Sequence, residues 1–126
     1  MVARILACVV ALLLGSLALG WLLDPASAAA KLGMPLLEGL GRSTQVGDLT
    51  ALFASGTTLC LIGAIRQEAP WLYSAALVLG FAALFRTTAW AFHGADFAAA
   101  SIVGELVMTG TLIASGVMMS RRDRDS

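Results

Sequence analysis

Four long apolar runs constrain this chain more than any other feature. Ile5 to Leu23 carries no charge, and neither does Leu49 to Ile65. Trp71 to Phe92 is interrupted only by Arg86, and Phe97 to Ser120 only by Glu105. At about 1.5 Å of helix rise per residue, such runs approach or exceed the roughly 30 Å thickness of a bilayer's hydrocarbon core. The composition agrees. Of 126 residues, 59% are apolar and 13% charged, whereas soluble domains carry about a quarter charged residues. Mean hydropathy is +0.87. The reading is an all-α, integral membrane four-helix up-down bundle forming one domain, with spans at about 5–23, 46–65, 71–92 and 97–119. Residues 120–126 form a basic tail.

The connections refine that reading. Asp24 is a good N-cap, Pro25 suits a first helical position, Lys31 falls in the last turn and Gly33 can close a helix. Those signals predict a short interfacial helix between spans one and two, about Pro25 to Leu32. Arg4, an apolar stretch and Ala26-Ser27-Ala28 also imitate a secretion signal, but the run exceeds the usual apolar core of one and the capping signals favour retention. Ser43 or Thr44 is expected to cap the second span. Arg66 to Pro70 and His93 to Asp96 read as tight turns, and tight turns make sequential helices antiparallel neighbours.

Basic residues outside the spans set the orientation. Arg4, Arg66, Arg121, Arg122 and Arg124 gather on one side, and only Lys31 and Arg42 on the other. The positive-inside rule puts both termini in the cytoplasm. Trp71 and Tyr73 then mark the cytoplasmic interface, and Trp21 and Trp90 the outer one. Gly15, Gly20, Gly56, Gly63, Gly104, Gly110 and Gly116 read as positions where helices approach closely. Such faces suit association into a homo-oligomer or a larger membrane complex.

Several function classes lose support. Formal net charge is zero, which offers nucleic acid no general attraction. One histidine and two cysteines, Cys8 and Cys60, in apolar runs give no metal-ligand cluster. No cofactor motif is evident, although a bound lipid or quinone fits such a chain.

The informative residues are the charges inside the spans. Arg86 lies about 9 Å below the outer surface, and Glu105 about 12 Å. A charge facing lipid at that depth costs about 2.5–3.5 kcal/mol or more, so the two are natural partners, ideally in a bidentate pair. Helical spacing adds Trp90 and His93 to the Arg86 face, and Ser101 and Thr109 to the Glu105 face. The expected site is a polar pocket of Arg86, Glu105 and Trp90, roofed by His93 and Asp96, with Asp48 from the second span. An ion pair that only fixes helix register is the plainest alternative.

Phe81-Ala82-Ala83-Leu84-Phe85-Arg86, His93-Gly94 and Gly104-Glu105-Leu106-Val107 resemble a bacterial family of four-span membrane proteins of unknown function. Asp24-Pro25 and Asp48 to Gly56 match its remaining landmarks, so the resemblance covers nearly the whole chain. In general shape the family is similar to small DoxX and DoxD-type membrane proteins, some linked to quinol oxidation. The family's acidic-x-Arg-x-x-Tyr-Gly-Gly stands here as Asp48-Leu49-Thr50-Ala51-Leu52-Phe53-Ala54-Ser55, with Thr50 for the arginine and Phe53 for the tyrosine. The resemblance implies fold and location and no activity.

Three functions follow as expectations. The first is a non-enzymatic binding or accessory module for a hydrophobic ligand or partner subunit. The second is an enzyme, or enzyme subunit, acting on a lipid or quinone with Glu105 or Asp48 as acid/base beside His93. The third is a proton-coupled transporter, which needs polar residues in the cytoplasmic half that the spans lack.

Overall fold

The computed structural model describes residues Met1 to Ser126; 86% of the chain is helical and no strand forms. Five helices follow in order: α1 (Val2–Leu23), α2 (Pro25–Lys31), α3 (Gly39–Arg66), α4 (Ala69–Phe92) and α5 (Ala99–Asp125). The four helices other than α2 are long and apolar enough to cross a membrane.

Local chemistry explains the breaks. Asp24 leaves helical geometry at φ −146° and ψ 73°, ending α1 and capping α2. Its Oδ1 accepts from the Ser27 backbone N–H at 3.3 Å, and Pro25 enters α2 where its missing N–H costs nothing. Gly33 takes a positive φ of 73°, which lets the Met34 N–H return to the Ala29 carbonyl at 3.0 Å. The expected cap at Ser43 or Thr44 does not form: α3 starts earlier, at Gly39, and both residues lie exposed within it. Gln45 does the fastening instead. Buried at 7% exposure, it accepts from the Leu37 N–H at 3.0 Å and donates to the Pro35 carbonyl at 3.1 Å. The 34–38 segment is thus tied to α3. At the other end of α3, Glu68 Oε2 accepts from Arg66 Nε at 3.1 Å and from Trp71 Nε1 at 2.7 Å, closing the turn into α4. These bonds from Trp71 and then Arg66 hold the Glu68 carboxyl below its ordinary range. The expected basic tail is the helical end of α5.

Helix α1 lies along α3 and touches α5; α4 lies along α5 and also meets α3; α2 folds back on α1. Small residues mediate the approaches. A Cβ on Gly63 would stand 2.9 Å from Leu72 Cγ, and one on Gly116 would overlap the Tyr73 ring. The interior holds Ala7, Ala11, Leu14, Ala75, Leu72 and Leu112, while Leu12, Leu23, Ile65 and Phe92 face outward. Only 25 of 126 residues are buried, so most of the apolar surface is on the outside. In water that surface would aggregate; in hydrocarbon it is the ordinary exterior.

Candidate functional site

Arg86 on α4 and Glu105 on α5 meet directly. Arg86 Nε donates to Glu105 Oε1 at 2.9 Å. The arginine side chain is 32% exposed and the glutamate 12%. The pair is not the bidentate fork expected from sequence: its single contact leaves Glu105 Oε2 buried with no hydrogen-bond partner. A carboxylate oxygen without a donor forfeits about 1–3 kcal/mol of hydration, which makes it an unfilled acceptor. On the arginine, only Nε is engaged, and the guanidinium's other N–H groups are free to donate.

Both residues line a cavity of about 300 Å³. Its polar rim comes from Asp24 at the α1–α2 junction, from Ser27 and Lys31 on α2, and from Ser101 on α5. Its apolar wall comes from Trp21, Leu49, Phe53, Leu79 and Met108. The cavity therefore grades from charged and hydroxylated to hydrocarbon. Two lining glycines keep it open: a Cβ on Gly20 or Gly104 would meet no atom within 4 Å. Unlike Gly63 and Gly116, these two are not close-approach positions.

The other expected site residues lie elsewhere. Asp48 is exposed and does not line the cavity; Leu49 and Leu52 beside it do. Helix α3 turns Leu49, Leu52 and Phe53 to the cavity, which leaves Asp48 on its exposed face. His93 and Asp96 are exposed in the α4–α5 connection, which runs to Ala98 before α5 begins, and they do not roof the cavity. Trp90 is 51% exposed and packs edge-on against Phe97 at 5.2 Å between ring centroids. Its setting suits an interfacial aromatic, and it does not touch the pair's cavity. Trp21, expected at the outer interface, is 1% exposed and forms part of the wall.

Sequence reasoning missed the rim. The signal was present in Asp24, Ser27 and Lys31, which recur at helical spacing on α2. An interfacial helix was expected to lie on the surface, yet Ala29 is fully buried against the core, which turns that face over the cavity. The Ser27 hydroxyl and then its backbone N–H hold the Asp24 carboxyl below its ordinary value of 3.8. Thr50 Oγ1 is a second buried oxygen without a partner, and nothing in the structure explains it. No group of three or more histidine, cysteine or acidic side chains could hold a metal ion.

Compared with known proteins, the chain matches no family model, no curated protein and no solved structure. The functional reading therefore rests on the residues themselves.

Proposed function

We propose that the chain is a four-span up-down bundle of the bacterial inner membrane, and that it acts as a binding or accessory module holding a membrane-derived amphiphile in the cavity beside Arg86 and Glu105. The cavity carries this reading, because an ion pair serving only to fix helix register needs no space beside it. Its gradient from Lys31 and Asp24 to Phe53 and Leu79 suits a molecule with one polar and one apolar end. The up-down arrangement is supported by Met1, Arg4, Gln67 and Arg122 lining one concavity, which gathers the start of α1, the α3–α4 turn and the end of α5. That end also collects most of the basic residues, which favours cytoplasmic termini. The resemblance to DoxX-type proteins is compatible with this reading.

An enzyme acting on a lipid or quinone is the second reading. Glu105 at the cavity wall favours it, and its unpartnered oxygen is where a proton would be exchanged. Asp48 and His93, the acid/base partners expected from the sequence, are exposed and do not line the cavity, which supports binding as the stronger reading.

Native mass spectrometry of the protein in gentle detergent tests the proposal. The wild type should retain an amphiphile, and folded Gly104→Leu, whose side chain projects into the cavity beside Glu105 and obstructs it, should not. A wild type without any bound molecule, or equal occupancy in both proteins, contradicts the proposal.

A further inference from the structure

The charges around the cavity balance: Asp24 and Glu105 oppose Lys31 and Arg86. Asp24 and Lys31 are exposed and screened by solvent, while the half-buried Arg86 and Glu105 neutralise each other, so a head group with net charge is drawn by one and repelled by the other. The two groups deepest in the polar part are half-used. Glu105 Oε2 lacks a donor, and Arg86 holds the glutamate through Nε alone. The terminal torsion of a carboxyl side chain is broad, so the carboxylate can turn as a whole and carry Oε2 towards the cavity, with the flexible Arg86 side chain following Oε1. A single head group that both donates and accepts would complete both residues. Ketone or quinone oxygens only accept and would leave Oε2 as it is.

Size narrows the choice further. At about 300 Å³ the cavity sits at the small end of small-molecule sites, which run to about 1,000 Å³, with room for one compact group. That is a small head group with the first atoms of one chain; the rest of the chain must extend between the helices into lipid.

We infer that the ligand is an electrically neutral, single-chain amphiphile with a hydroxyl-bearing head, of which a monoacylglycerol is the type. Its hydroxyl donates to Glu105 Oε2, and its carbonyl or second hydroxyl oxygen accepts from the free N–H groups of Arg86. The inference rests on the cavity being a binding site and assigns the head-group chemistry within it.

The test offers the detergent-solubilised protein three amphiphiles with the same saturated chain, each at the same concentration: monopalmitoylglycerol, hexadecyl phosphate and hexadecyltrimethylammonium. Bound fraction is read by native mass spectrometry for wild type, Gly104→Leu and Glu105→Gln. The expected result is a wild-type preference of about tenfold or more for the glycerol head, corresponding to about 1.4 kcal/mol, and loss of that binding in Gly104→Leu. Glu105→Gln leaves Arg86 without a counter-charge, so its preference should swing by at least about tenfold towards the phosphate. Stronger wild-type binding of the phosphate or ammonium, still abolished by Gly104→Leu, overturns the head-group assignment and leaves the binding site standing. An unchanged preference in folded Glu105→Gln overturns it equally. Binding of all three amphiphiles that ignores Gly104→Leu overturns the cavity reading itself, and the assignment with it.

Discussion

Arg86 Nε and Glu105 Oε1 lie 2.9 Å apart between α4 and α5, and this contact leaves the second oxygen of the same carboxylate buried and unpartnered. An ion pair optimised only to lock two helices would use both oxygens. This one uses a single oxygen and leaves the other unpartnered, beside a cavity that both residues line.

The pair should behave as a unit in stability measurements. Arg86→Met or Glu105→Met alone strands the partner's charge and should cost about 2–3 kcal/mol. The double substitution should cost less than either single one, because no unpaired charge remains. Reversible unfolding in mixed micelles checks this; additive losses would mean that the two side chains do not interact.

The glycines divide into two kinds with opposite responses. Gly116→Ala forces a methyl group into the Tyr73 ring and should cost about 1–3 kcal/mol through overpacking. Gly104→Ala enters open space and should be neutral or stabilise by up to about 1 kcal/mol through helix propensity. Thermal unfolding of both variants separates them, and an equal loss would contradict the packing described.

Gln45→Ala removes the acceptor of the Leu37 N–H and the donor to the Pro35 carbonyl. Leu37 and Pro35 are exposed, so water can replace the lost partners, and the loss should be about 0.5–1.5 kcal/mol for each bond. Hydrogen exchange should locate the effect in the 34–38 segment, with the Leu37 amide losing protection first. Unchanged exchange there would show that the tie is not formed in solution.

Much of the architecture was legible in the sequence because lipid reduces the choices. Uncharged runs long enough to cross hydrocarbon must be helical, and Asp24-Pro25 with Gly33 announced α2. The Arg86–Glu105 pair was legible from depth alone, since an intramembrane charge needs a partner. What could not be read was the rotation of each helix about its axis. Trp90 lies one turn from Arg86, yet it is exposed and packs on Phe97, and His93 falls beyond the end of α4. Whether Trp21 faced lipid or the interior depended on how α1 meets α3 and α5. The start of α3 was hidden because Gln45, a long-range tie, replaced the local cap expected at Ser43 or Thr44.

The Asp24 carboxyl, held below 3.8 by Ser27, makes the start of α2 sensitive to acid. A depressed value means the cap contributes at all pH values above 3.8 and is lost as pH falls through the lower folded-state value. The protection factor of the Ser27 amide, its exchange rate divided into the intrinsic rate at the same pH, should fall in that acidic window and stay constant above it. Asp24→Asn, which caps without titrating, should flatten the response; a pH dependence that persists in Asp24→Asn would assign it to another group.

Trp21 offers the most direct test of the central claim, because it is buried in the cavity wall and shielded from surrounding lipid. The measurement is Trp21 fluorescence in a Trp71→Phe/Trp90→Phe background, titrated with a monoacylglycerol brominated near its head. Saturable quenching that disappears when Gly104→Leu is added is the predicted result. Quenching that rises without saturation, or is the same with the cavity obstructed, would contradict a ligand site beside Arg86 and Glu105.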